Sequence, residues 1–166
     1  MNWGDNMEKV YIGKIVSTHG IKGEIKILSD FPYKNKVFMV GNTLIVDDKD
    51  YCIRSYRVHK KFDMVTFEGY NDINEVLCLL KKDVYFLKSN LDLDEDEVLD
   101  SELMEFRVIS SDGREGVIKE IFMASPSNKI LRVEFDYEVL IPLYSPFVLK
   151  IDKKNKSILV ELIDGM

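Results

Sequence analysis

Residues 13–27 read GKIVSTHGIKGEIKI, and the fold is decided here. Two apolar runs flank a five-residue loop, His19-Gly20-Ile21-Lys22-Gly23. Glycines three apart let the backbone take positive φ twice, so the chain can reverse tightly. The flanks alternate. Tyr11, Gly13, Ile15 and Ser17 point one way in a strand, and Ile12, Lys14, Val16 and Thr18 the other. Past the loop, Ile25 and Ile27 oppose Glu24 and Lys26. The pattern predicts a β-hairpin with a polar, cationic tip. That tip offers an imidazole, an ammonium and exposed backbone N–H groups, which together suit a phosphate or a carboxylate. The same residues also read as a tight turn whose side chains bind nothing.

Downstream of the hairpin the chain continues as short apolar runs and polar turns. Ser29-Asp30-Phe31-Pro32-Tyr33 starts a loop, with proline as breaker. Gly41-Asn42 turns into a strand over Thr43–Val46, and Asp47-Asp48-Lys49-Asp50 turns again. From Tyr51 to His59 the run is β-rich, with Tyr51, Ile53, Ser55, Arg57 and His59 expected on one face. Lys60-Lys61-Phe62-Asp63 turns into Met64–Phe67. Short strands linked by polar turns predict a barrel or sandwich. At 71–80 the period changes: Ile73, Val76, Leu77 and Leu80 share one helical face, behind the capping residues Asn71 and Asp72. This predicts a short helix plugging one end of the barrel. Val84–Leu87 then forms the closing strand.

Residues 88–100, KSNLDLDEDEVLD, break the chain in two. Their acids repel one another and leave little to bury. A calcium loop is discounted because the mid-loop glycine is absent. The second half predicts strands from Met104 to Ile109, a hairpin turn at Ser110-Ser111-Asp112-Gly113, and a return over Gly116–Phe122. Further strands are expected at Ile130–Phe135 and Val139–Leu143, the latter at an edge or strand end because of Pro142. A last hairpin pairs Phe147–Ile151 with Ser157–Leu162. The expected organisation is a barrel over 7–88, an acidic linker over 89–100 and a second small β-barrel or sandwich over 101–166.

Composition narrows the function. The 166 residues, 46% hydrophobic and 31% charged, make an ordinary globular protein. The net charge of −6 argues against non-specific nucleic-acid binding by the whole surface. Its distribution is uneven. Residues 1–90 carry 14 Lys+Arg against 12 Asp+Glu, and residues 91–166 carry 9 against 17. An acidic second half suits a basic partner, and it equally serves solubility. No apolar run approaches the ~20 residues of a membrane span. The N-terminal MNWGDNMEK holds no apolar signal core, so a cytoplasmic protein is expected. Cys52 and Cys78, both in apolar runs, are expected to be reduced core residues. No C-x-x-C or histidine cluster offers a metal site, and no cofactor is expected. No nucleophile motif surrounds His19 or His59 and no phosphate-binding glycine loop occurs, so catalysis is not expected.

The opening stretch, with its glycine-x-isoleucine start and H-G-I-K-G-E turn, resembles the signature of the RimM family of ribosome maturation factors. The run GYNDINEVLCLLKKDVYF is similar to that family's helix-then-strand closure of its N-terminal barrel. In the second half L-R-V-E, L-I-P-L, V-L-K-I-D and I-L-V-E-L-I-D-G follow in the order of a PRC-barrel. The resemblance spans residues 9–166. It departs at the linker, where Val98-Leu99 replace the family's adjacent tyrosines, and at Ser101-Glu102-Leu103-Met104, which replace its usual D-L-I-G.

The resemblance implies a mainly β protein. Its first barrel, with one short helix, would be translation-factor-like, and a PRC-barrel would follow the acidic linker. It implies a non-enzymatic factor that binds the head of the immature 30S subunit, through small-subunit ribosomal protein nineteen, and aids 16S rRNA maturation, with a monomer as the expected state. Candidate partner-binding residues are His19, Gly20, Lys22 and Gly23 at the first tip and Arg57, His59, Lys60 and Lys61 at the second. In the second half they are Asn128, Tyr144 and Phe147. Tyr51, Tyr56 and Phe62, interleaved with the basic residues, are candidate stacking platforms for RNA. Alternating charges on strands equally form an ordinary wet face. Two other classes remain open: a PRC-type scaffold that never touches the ribosome, and a stand-alone RNA-binding barrel.

Overall fold

The computed structural model describes residues 8–125, 128–143 and 145–163. The chain is mainly β and divides into two units, Met1–Asp92 and Leu93–Met166. The first is a closed barrel. Its strands are β1 (Lys9–His19), β2 (Glu24–Leu28), β3 (Thr43–Val46), β4 (Lys49–His59), β5 (Phe62–Phe67) and β6 (Asp83–Leu87). Their order round the barrel is β1-β2-β5-β4-β3-β6, and every pairing is antiparallel.

The opening hairpin is present, but its alternation is interrupted. Register shifts fall between Tyr11 and Gly13 against β6, and between Ile15 and Ser17 against β2. Each bulge turns the following residue over, so Ile12 and Ile15, three apart, both reach the core. Gly13 lies where a Cβ would come within 2.5 Å of the Leu28 carbonyl oxygen. Only glycine lets the strands cross so closely there. Ser29 pins the crossing by donating its hydroxyl to the Ile12 carbonyl at 2.6 Å. A third bulge, between Ile53 and Ser55, changes the face of β4. Tyr51 and Ile53 share the inner face, but beyond the bulge it is Tyr56, expected on the opposite face, that packs against the core.

Two short helices flank the barrel strands. α1 (Lys34–Val37) lies in the stretch read as loop, and it buries Val37. α2 (Ile73–Val76) is capped by Asp72, which accepts from the Asn74 N–H at 2.7 Å. The helix expected over 71–80 is cut short. After Val76 the chain tightens into a 3₁₀ turn over Leu77–Leu79. At three residues per turn Val76 and Leu79 share a face, so these two are buried and Leu77 is exposed. The same tightening leaves Cys78 exposed, and Cys52 is only half-buried, so neither is the core cysteine that was expected.

The second unit is a six-stranded sheet. β7 (Arg107–Ser110), β8 (Glu115–Ser125), β9 (Asn128–Glu134), β10 (Glu138–Pro142), β11 (Val148–Asp152) and β12 (Ser157–Val160) lie in the order β10-β9-β8-β7-β12-β11. Pro142 ends the edge strand β10, as its missing N–H requires. β12 runs parallel to β7, the one parallel pairing among the described strands. Val108, Ile118, Leu131, Val133, Ile141, Ile158 and Val160 share one core, so the sheet must coil round its own apolar face. The strand expected to begin at Met104 begins at Arg107. A short helix, α3 (Asp100–Leu103), precedes it and buries Leu103.

The stretch expected to be an exposed linker is also altered. Leu91 packs on the first core, while Val98 belongs to the second and Leu99 is buried. Aliphatic side chains inside an acidic run still seek cover from water, and here they seal the start of the second unit. Among the described residues no helix is long and apolar enough to cross a membrane.

Candidate functional site

Three strands of the first barrel carry their polar residues outward at one place. The rungs run Ser17–Lys26–Met64–Arg57, because Lys26 pairs with both Ser17 and Met64, and Met64 with Arg57. Side chains on one rung share a face, so sequence positions far apart converge. Arg57 reaches across to Glu24 and grips it with both prongs, at 2.7 and 3.0 Å. These hydrogen bonds hold the Glu24 carboxyl below the usual carboxylate range, against the opposing effect of burial.

The imidazoles of His19 and His59 lie close to this pair and to each other. Their ring centroids lie 5.8 Å apart, tilted by 48°. Burial lowers the His59 pKa from its ordinary value. The nearby charges of Arg57, Lys60, His19 and Lys26 lower it further. Lys26 and Lys61 both place their ammonium groups over the Phe62 ring, at 5.3 and 5.7 Å. Among the described residues, Lys22, Lys26, Lys60 and Lys61 form no ion pair.

The two tips differ in build. Lys60-Lys61 is a two-residue reversal with Lys60 at a φ of 56°, closed by the His59–Phe62 pair. The first tip is shorter than expected, since His19 pairs with Glu24 and only residues 20–23 turn. Gly20 and Gly23 take φ of 68° and 89°. The tip is tied to the α2 segment, because the Ile73 N–H donates to the Ile21 carbonyl at 2.9 Å. The Ile21 side chain stays 74% exposed. Beside the tip lies a cleft of about 460 Å³, lined by His19, Gly20, Lys22, Arg54, Ser55 and Thr66 among others.

The aromatic platforms do not survive as a set. Tyr51 is buried against Phe67 and Tyr70. Tyr56 stacks on Phe38 at 5.3 Å and donates its hydroxyl to Asp63 at 2.6 Å. Both rings serve the core, because the β4 bulge keeps them on the inner face. Phe62 is half-buried, with the Lys26 and Lys61 ammonium groups over its ring.

In the second unit Asn128 opens β9 opposite Ser125 and is exposed. Phe147 packs against the second core, and its carbonyl accepts from the Glu161 N–H at 2.8 Å. Tyr144 lies outside the described residues. Glu24 was not singled out by sequence reasoning as a site member. The register that brings Arg57 to it is set by β5, a strand that lies between them and carries no charge at that rung.

The profile of the RimM N-terminal domain matches residues 10–91. Two proteins described as "Ribosome maturation factor RimM" are similar over nearly the whole chain. The one from Shouchella clausii is 35% identical, covering 93% of this chain and 95% of its own. The one from Oceanobacillus iheyensis is 37% identical, covering 95% and 96%. The solution structure of the N-terminal domain of RimM from Thermus thermophilus is 18% identical, covers 52% of this chain and 98% of that one, and gives a TM-score of 0.46.

Proposed function

The chain belongs to the ribosome maturation factor RimM family, and we propose that it is a non-enzymatic assembly factor for the small ribosomal subunit. In this reading it binds the head of the immature 30S subunit, through small-subunit ribosomal protein nineteen and precursor 16S rRNA, and promotes 16S rRNA maturation. Binding the unfinished particle better than the finished one shifts its population without covalent chemistry. The observation that carries the reading is the group of lysines without an ion pair at the two tips of the first barrel, Lys22, Lys60 and Lys61, beside the paired imidazoles. Cations that no carboxylate of the protein neutralises are those able to meet phosphates. The acidic second half supplies the complementary charge for a basic ribosomal protein.

The test is sedimentation of a cell extract on a sucrose gradient. The protein is expected with free small subunits and absent from joined ribosomes. Reversing charge together at Lys22, Lys60 and Lys61 should weaken that association at least tenfold while leaving the thermal melt unchanged. A protein that stays at the top of the gradient at low salt refutes the reading. Full activity of residues 97–166 alone would instead favour a protein-binding scaffold.

A further inference from the structure

We infer that His19 and His59 form a proton-gated clamp for a single phosphate of an RNA backbone. The inference rests on the ribosomal reading above and names the ligand chemistry of that surface. The two imidazoles belong to β1 and β4, which β2 and β5 separate in the barrel, yet their centroids are 5.8 Å apart. No hydrogen bond joins them among the described residues, so each ring keeps an N–H to offer. Two donors at this spacing can reach two oxygens of one tetrahedral phosphate with charge-assisted bonds of about 2.8 Å.

The groups facing the pair are Glu24 and Lys26 from β2, Arg57 from β4 and Lys60 from the β4–β5 turn. Glu24 is the single carboxylate among them, and Arg57 neutralises it through two hydrogen bonds. What remains beside the imidazoles is cationic, Lys26 and Lys60. Burial first, then the charges of Arg57, Lys60, His19 and Lys26, lower the His59 pKa and so disfavour its protonated form. A phosphate arriving there reverses the field and draws protons onto the rings. The bound state therefore has the higher imidazole pKa, and affinity must rise as pH falls through that range. The cleft alongside adds the Lys22 ammonium, while its Arg54, Ser55 and Thr66 are engaged with one another and Arg54 also with Asn71. The imidazoles with Lys22, Lys26 and Lys60 around them make an extended cationic surface, which suits a chain of anions, as RNA presents, better than a lone carboxylate.

The full chain is titrated with a short labelled single-stranded RNA of mixed sequence at fixed salt between about pH 8 and pH 6. Affinity should rise roughly tenfold over that range. The His19→Gln/His59→Gln variant should lose the slope. In parallel, inorganic pyrophosphate should raise the imidazole titrations of both histidines seen by NMR. A flat wild-type profile, a slope kept by the variant, or imidazole titrations that pyrophosphate does not move each overturn the clamp. Displacement of the RNA by polyglutamate at equal charge would assign the clamp to an acidic protein and overturn the RNA assignment. A protein that sediments with small subunits but shows no pH slope loses the clamp and keeps the ribosomal role. One with the slope that never enters the subunit fraction keeps the clamp and loses that role.

Discussion

Asp63 is a carboxylate only 2% exposed, at the start of β5. It accepts the Tyr56 hydroxyl at 2.6 Å, and the Lys34 ammonium of α1 lies 2.8 Å from its other oxygen. Burial, helped by this bond, raises the Tyr56 pKa well above that of a free phenol. Removing the carboxylate strands a buried hydroxyl and an ammonium. Asp63→Ala should therefore cost about 3 kcal/mol, read as a lower urea midpoint. Asp112 acts at the surface. Hydrogen bonds from Arg114 first, then from Ser110, lower its pKa from 3.8 to about 2. A depressed folded pKa means that the contribution is complete above about pH 3.8 and lost as pH falls toward 2. Melting temperatures over that window should fall more steeply for the wild type than for Asp112→Asn. The turn holding Asp112 was legible from Ser110–Gly113 as a dipeptide signal. The buried role of Asp63 was not, because Lys60-Lys61-Phe62-Asp63 reads as a polar turn until the inner face of β5 is known.

At the scale of elements, strands were read well and the departures from period were not. Strand-forming runs announce themselves by composition, whereas a bulge adds one residue without changing it. Hence Ile12, Ile15 and Tyr56 take faces that strict alternation assigns otherwise. The 3₁₀ turn at Leu77–Leu79 shows the same limit, since a helical face drawn at 3.6 residues per turn places Leu77 inside. The first hairpin offers a direct comparison of its glycines. A Cβ on Gly20 meets nothing within 4 Å, whereas one on Gly23 comes within 2.8 Å of the Tyr70 carbonyl oxygen. Both take positive φ, so each alanine costs about 1–2 kcal/mol in backbone strain. Gly23→Ala adds the collision with Tyr70, and its urea midpoint should fall clearly below that of Gly20→Ala. The site itself was half legible. The basic tips stand out in sequence, but the partnership of Glu24 with Arg57 is a property of strand register.

At the scale of the molecule, each unit carries its own apolar core, and among the described residues none belongs to both. Cooperativity follows cores, so the two units should respond separately to local damage. Asp63→Ala should speed amide hydrogen exchange within the first unit. Asp100→Ala, which leaves the nearly buried Lys129 ammonium without the carboxylate 2.6 Å away, should speed it in the second. Exchange that rises in both units for either variant would show one cooperative block instead.

The parallel pairing of β12 with β7 bears on the order of events during synthesis. Residues 157–160 fill the gap between β7 and β11, although β7 left the ribosome some fifty residues earlier. Every partner of the first barrel's strands, by contrast, has been made once Leu87 is out. During translation the first half can thus take shape early, while the second waits with β7 unmatched on one flank until residues 157–160 are made. Any stall before Ser157 leaves the cationic barrel finished and its acidic companion open.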